Sequence, residues 1–187
     1  MSGVAVNVAI IHDGKILLTK REDFEIWILP SGGVEDGESI AQAAIRETKE
    51  ERGLDVELTG LVGVYSRLSN MSPTHAILFA ARPIGGEIRC QEGETIAVGW
   101  FAFDEIPSPL SAGHKRRIED AISGVSGVAV LQEFHLPEMP QEVTRKELIT
   151  LRDNSGLSRQ DFYLRMFEHA ELTETTEVPG ILKTHDQ

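Results

Sequence analysis

The sequence predicts an α/β fold, a mixed β-sheet sandwiched between helices and followed by a helical C-terminal extension. Three observations predict it: β-rich runs separated by turn residues, helical stretches inserted among those runs, and a change of character beyond His135. A chain of 187 residues suffices for one domain of ordinary size and hardly for two. The expected organisation is therefore a domain over residues 1–136 and an extension over residues 137–187.

The elements follow in order. Val4 to Ile11 and Lys15 to Arg21 are β-rich and are joined by Asp13-Gly14, a dipeptide that favours tight hairpin turns. "WILPSGG" (27–33) reads as a short strand running into a loop that Pro30 stiffens. Ser39 caps a helix running to about Arg52, and Gly53 supplies the conformation that ends one. Strands follow at 56–66, 74–83 and 96–103, and a helix at 114–123. Pro137 and Pro140 interrupt the chain before two polar helical stretches at 142–153 and 158–172, the second opening on Ser158 and Asp161 in the manner of a capping box. The last dozen residues, with Pro179 and Gly180, are expected to fray.

Composition narrows the function. A formal net charge of -12 argues against general affinity for nucleic acid or anionic membranes, which need clustered Lys and Arg. A phosphate-bearing substrate would then need a counter-charge from elsewhere, and a divalent metal is the obvious source. Cys90 is the only cysteine, so an intrachain disulfide and a Cys-rich zinc site are both excluded. The apolar run Val4–Ile11 has no basic residues before it and is too short to span a bilayer, so a cytoplasmic setting without anchor or signal peptide is expected.

The helix from Ser39 carries an apparent fault. Glu47 lies three and four residues from Glu50 and Glu51, and like charges at those spacings repel by roughly 0.2–0.5 kcal/mol per pair. Glu50 and Glu51 also sit near the negative end of the helix dipole. At about 100° per residue, Ile40, Ala41, Ala44, Ile45 and Thr48 share a stripe that should face the core. Glu47 and Glu51 then fall at its margin, Glu50 lies further round, and Gln42, Arg46 and Lys49 take the solvent side. Carboxylates crowded at a core margin raise one another's pKa unless a cation binds them, and a hard ion such as Mg²⁺ wants oxygen ligands. The plainer reading is a solvated Glu-rich face relieved by the Arg46–Glu50 pair, and the preceding loop weighs against it.

Gly32, Glu38 and "RETKEERGL" (46–54) closely resemble the signature of the Nudix hydrolases, Gly-x5-Glu-x7-Arg-Glu-U-x-Glu-Glu-x-Gly-U with U a bulky aliphatic residue. Gly32, Glu38, Arg46, Glu47, Glu50, Glu51 and Gly53 fill every fixed position, and Leu54 fills the last aliphatic place. Thr48 departs from the pattern, and as it can hydrogen-bond back to a preceding carbonyl, a small packing loss is expected. Ser31 stands where many members have another glycine. The wider resemblance covers residues 4–135, including "WILP" and "WFAFDEIP" (100–107).

The resemblance implies a Nudix-type sandwich that binds Mg²⁺ or Mn²⁺ and hydrolyses a nucleoside diphosphate linked to a further group. Glu47, Glu50 and Glu51 would hold metal, Arg46 would orient the carboxylates, and Glu38 would support the loop or a metal-bound water. "QEGET" (91–95) offers Glu92 and Glu94 as a further acid, with Glu94 a candidate metal ligand. Gly32, Gly33 and Trp27 are candidates for contacting the substrate, Trp27 by stacking on a base. ADP-ribose or another nucleoside diphosphate sugar is the favoured substrate, with Pro73 near the place where ADP-ribose-cleaving members often carry a proline. Nucleoside triphosphates, damaged ones included, dinucleoside polyphosphates, and a noncatalytic nucleotide-sensing module are the alternatives.

The remaining features read more plainly. Six histidines lack metal-ligand spacing and are expected to be surface or locally bonded, while "HKRR" (114–117) is expected to be solvated. Phe162, Tyr163, Met166, Phe167 and Ala170 form a broad apolar stripe. It must be buried, by docking on the chain's own domain, by a homodimer contact, or as a lid over the nucleotide.

Overall fold

The computed structural model describes residues 3–69, 73–91, 93–137, 139 and 143–182. The chain opens with β1 (Gly3–His12) and β2 (Lys15–Arg21), whose turn places Asp13 and Gly14 at φ 48° and 69°, the left-handed pair that a two-residue hairpin needs. Next come β3 (Trp27–Ile28), β4 (Ser31–Gly33), α1 (Ile40–Arg52), β5 (Leu54–Ser69), β6 (Thr74–Gly86), β7 (Thr95–Ala102) and α2 (His114–Ile122). Then follow β8 (Val125–Ser126), β9 (Val128–His135), α3 (Arg145–Asn154), α4 (Arg159–Phe167), β10 (Glu171–Val178) and β11 (Ile181–Leu182).

The main sheet is mixed, in the order β10-β9-β5-β6-β1-β2-β3, with β4 paired to β1 and β7 to β2. Strand β1 is its junction: Gly3–Ile10 run parallel to β6, Ala5–Asn7 pair with β4, and Ile11 and His12 pair with β2. Alternation along β1 then divides the interior. Val6, Val8 and Ile10 meet Ala43 and Ala44 of α1 on one face, and Ala9 meets Ile118 and Ala121 of α2 on the other. The predicted α/β sandwich is the observed fold.

Helix α1 begins and ends where expected. Ser39 accepts from the Gln42 N–H, the Gln42 side chain accepts from the Ser39 N–H, and Gly53 closes the helix at φ 74°. Thr48 is buried and donates to the Ala44 carbonyl at 2.8 Å, the back-bond that lets a hydroxyl stand in an aliphatic place. The buried stripe, however, is Ala43, Ala44, Thr48, Glu51 and Arg52, while Ile40 and Ile45 are 38% and 42% exposed. The small alanines let the helix approach the sheet closely, and this rotation carries Glu51 and Arg52 inward.

Strands β8 to β11 escaped the sequence reading, and α4 ends at Phe167, so the stretch expected to be helical to 172 gives way to β10. In β9, Val128, Val130, Gln132 and Phe134 alternate inward, and the fully buried Gln132 breaks the apolar pattern. Strand β10 is exposed along its whole length, so its polar sequence has no periodicity to read; it forms because β9 offers an edge, pairing Glu171 with His135 and Thr176 with Val130. Residues expected to fray thus include the end of β10 and β11, which pairs with β8. Between these strands, α3 and α4 bury Leu148, Tyr163 and Met166 with Val143 against Phe24, Ile26 and Leu136, so the aromatic stripe docks on its own chain. Burying such side chains stabilises by about 1.5–3 kcal/mol each.

The basic segment at the start of α2 is solvated only in part: Lys115 is exposed and Arg116 partly so, but His114 and Arg117 turn inward. Arg117 is buried, donates to Asn7 Oδ1 at 2.9 Å and Gln132 Oε1 at 2.8 Å, and lies over the Tyr65 ring. His114 is buried too, and its Nδ1 accepts from the Leu29 N–H at 3.1 Å across 85 residues of sequence. Burial, with Arg117 nearby, holds its pKa well below the ordinary value, so it is a neutral acceptor that pins the strand leading into the site.

Candidate active site

Strand β4 and helix α1 face one another across a cavity of about 540 Å³, lined by Gly32, Gly33, Arg46, Glu47, Glu50, Glu51 and Glu94 among others. Gly32 is required by proximity alone. A Cβ there would lie 2.0 Å from Glu47 Cδ, so only glycine lets the Glu47 side chain cross the strand. Glu47 Oε1 then accepts from the Gly33 N–H at 3.1 Å.

Arg46 sits among the acids, not on the solvent side. Its Nε and Nη2 grip Glu38 at 3.0 and 2.6 Å, Nη2 donates to the Gly33 carbonyl at 3.2 Å, and Nη1 reaches Glu47 at 3.1 Å and Glu50 at 3.2 Å. Glu38 also accepts from the Glu35 N–H at 2.8 Å. The Arg46 guanidinium and that N–H hold the Glu38 carboxyl down at about 2, while Glu38 in turn raises Arg46. Glu38 thus braces the loop through Arg46 and does not line the cavity itself.

Glu51 is the deepest of the acids. Its Oε2 accepts from Arg52 Nη2 at 2.8 Å, and Arg52 is anchored by Nη1 donating to Thr95 Oγ1 at 2.8 Å. Burial pushes the Glu51 carboxyl up to about 7, Arg52 opposes the shift, and Glu47 and Glu94 reinforce it. Glu94 comes from the segment before β7, which is tied to the end of β2 by the Glu22 N–H donating to the Glu94 carbonyl at 2.9 Å. Glu92 lies outside the described residues.

The donors suit a hard divalent ion: carboxylate oxygens on one cavity, with one of them raised by burial and by the neighbouring acids. Among the described residues no three acidic, His or Cys side chains already converge as an ion's ligands. The acids here are turned onto Arg46, Arg52 and the Gly33 N–H, which compete for the same oxygens.

Trp27 is not at this site. Strand alternation turns its ring to the opposite side, edge-on to Phe101 at 4.9 Å in the core under α2, and brings Ile28 to the cleft instead. Sequence reasoning also missed Arg21, Arg52, Thr95 and Arg145, which line the cavity. None belongs to a fixed motif position, and the sheet alone gathers them.

A second cavity, of about 360 Å³, adjoins the first and shares Arg21, Ile28, Ser31 and Arg145 with it. Its walls mix aromatic and cationic groups: Phe24, Phe134, Tyr163 and Phe167 with Arg67. The Arg67 Nε is buried and has no hydrogen-bond partner among the described residues, and burial lowers the Arg67 pKa. Tyr163 is oriented by its hydroxyl, which accepts from the Ala112 N–H at 2.7 Å.

Comparison with known proteins agrees with this geometry. The family model described as NUDIX domain matches residues 1–121. A candidate 8-oxo-dGTP diphosphatase of Bacillus subtilis is 36% identical over 116 residues, covering 62% of this chain and 76% of that protein. An ADP-ribose pyrophosphatase of Methanocaldococcus jannaschii is 36% identical over 129 residues, covering 66% and 75% respectively. Among solved structures, a MutT NUDIX hydrolase from Burkholderia pseudomallei superimposes with a TM-score of 0.61 at 32% identity, over 64% of this chain and 98% of that one. With the match running from the first strand into the second helix, and the signature acids gathered on one cleft, the chain belongs to the Nudix hydrolases, a family of pyrophosphohydrolases.

Proposed function

We propose that this enzyme hydrolyses the pyrophosphate bond of a nucleoside diphosphate linked to another group, favouring ADP-ribose and related nucleoside diphosphate sugars, with Mg²⁺ or Mn²⁺ as cofactor. The observation that carries this reading is the two-chambered cleft, an acid-lined cavity continuous with an aromatic one. The first suits a metal-bridged pyrophosphate. The second suits a planar base, with the unpartnered Arg67 Nε as donor to an acceptor on it. Of the five arginines that line the two cavities, Arg46 and Arg52 are engaged by Glu38, Glu47, Glu50 and Glu51, and Asp23 offsets one of Arg21 and Arg145, so little free positive charge is left, which favours a diphosphate diester over the more highly charged triphosphate.

In this reading Glu47, Glu50, Glu51 and Glu94 would hold the ion, which would supply charge neutralisation for the pyrophosphate and acidify an attacking water. Glycine at 32 leaves room for Glu47, and the Gly33 N–H fixes its direction. Arg46, held by Glu38, keeps Glu47 and Glu50 from repelling one another apart. Arg52 fixes one oxygen of Glu51, so the carboxylate is oriented before a ligand arrives.

A turnover screen over ADP-ribose, nucleoside triphosphates including oxidised ones, and dinucleoside polyphosphates, with Mg²⁺, Mn²⁺ or EDTA, tests the reading. Metal-dependent release of AMP from ADP-ribose is the expected result. Turnover of triphosphates alone overturns the substrate class, and tight nucleotide binding with no turnover identifies a sensing module instead.

A further inference from the structure

Arg145 is the first residue of α3, beyond the residues the family model matches, yet it lines both cavities. It stands at their seam with Arg21, Ile28 and Ser31. Any nucleotide whose pyrophosphate occupies one chamber and whose base occupies the other threads its ribose through this seam and brings the phosphate next to that ribose up to it.

The charge there is unbalanced. Asp23 is held by Arg21 through two contacts and by Arg145 at 3.0 Å, so one carboxylate faces two guanidinium groups. The Asp23 side chain is 11% exposed and that of Arg145 is 69% exposed. An ion pair with a partner so open to solvent adds little to stability, so tying the extension down does not explain the residue's position. A guanidinium already turned toward the seam can donate two parallel hydrogen bonds to phosphate oxygens.

We infer that Arg145, supplied by the C-terminal extension, binds the phosphate on the nucleoside side of the substrate at the seam between the two cavities. The inference rests on the pyrophosphohydrolase reading above and adds that the extension completes the substrate site. Arg159 provides the internal control. It ties α4 to the same loop, donating to the Glu22 carbonyl at 2.9 Å and reaching Glu22 Oε1 at 3.2 Å, but lines neither cavity.

The test compares the full chain with its Arg145→Ala, Arg145→Lys and Arg159→Ala variants. Steady-state kinetics use the substrate that the wild type turns over, and calorimetry measures equilibrium binding of α,β-methylene-ADP with Mg²⁺. For Arg145→Ala, KM and the analogue Kd should each rise about tenfold, the scale of one charge-assisted hydrogen bond, with kcat within about twofold. Arg145→Lys should recover part of the loss, and Arg159→Ala should bind as the wild type does, with all melting points alike. Equal binding by the Arg145→Ala and Arg159→Ala variants overturns the inference, as does a loss confined to kcat or one that follows a lowered melting point. An active wild type with an unaffected Arg145→Ala variant refutes this inference alone. A wild type that neither turns over nor binds any pyrophosphate compound refutes the hydrolase reading as well.

Discussion

Gly32→Ala separates the energetics of the fold from those of the site. The added Cβ would meet Glu47 Cδ at 2.0 Å, Cγ at 2.4 Å and Oε1 at 2.4 Å, and these atoms belong to a flexible side chain that can swing away. The backbone at Gly32 is outside the left-handed region, so alanine fits its conformation. The cost to the fold is the hydrogen bond from the Gly33 N–H to Glu47, about 0.5–1.5 kcal/mol, offset by about 0.4–1 kcal/mol from a less flexible unfolded chain. Net stability should therefore change by less than about 1 kcal/mol. The cost to the site is larger, because Glu47 loses its place over the strand. Losing the support that orients a metal ligand typically weakens metal affinity about 10–100-fold. A Mn²⁺ titration by calorimetry, paired with a denaturant melt, measures both quantities. In a Glu47→Ala background the obstruction is gone, so adding Gly32→Ala should change metal affinity little. Undiminished Mn²⁺ binding by Gly32→Ala, or an equal loss in both backgrounds, would refute the reasoning.

Four further outcomes follow from three individual residues. Glu51→Gln should abolish turnover yet melt no lower than the wild type near neutral pH, because a carboxyl raised to about 7 on folding opposes folding where the unfolded chain carries it ionised, a cost that glutamine lacks; full activity would remove Glu51 from the metal set. For the same reason Mn²⁺ affinity should fall as pH drops below about 7, and Glu51→Gln should lose that dependence in a titration compared at acid and alkaline pH. His114 has a folded pKa depressed below about 6.5, so its contribution to stability is present above that pH and lost below it, at up to about 1.4 kcal/mol per pH unit. Denaturant melts of His114→Asn, which keeps an acceptor for the Leu29 N–H, should lack that acid slope, and an unchanged slope assigns it elsewhere. Leu148→Ala should cost about 2–5 kcal/mol in a single cooperative transition, since Leu148 is buried between the extension and Phe24; unchanged stability would mean the extension docks loosely.

The sequence by itself determined the parts of this protein that rest on local pattern. Strand alternation, the Asp13-Gly14 turn and the Ser39 and Gly53 caps are short-range effects, so most elements of the sheet and helix α1 were legible from neighbouring residues. The acidic helix was legible for the opposite reason. Glu47, Glu50 and Glu51 oppose the helix's own stability, and residues placed against local preference mark a site. Tertiary structure alone decided what depends on contacts between distant segments. Strand β10 has no apolar face and exists by pairing with β9; Arg117 is buried because Asn7 and Gln132, far away in sequence, receive its hydrogen bonds. Trp27 and Ile28 are neighbours, and no pattern over two residues tells which of them faces the cleft until β2 fixes the register. Arg145 lies beyond the family match and enters the site only because α3 docks on the loop at Asp23 and Phe24. Local propensity acts over a few residues, whereas a cleft is the meeting of surfaces whose separation in the chain carries no signal of their approach in space.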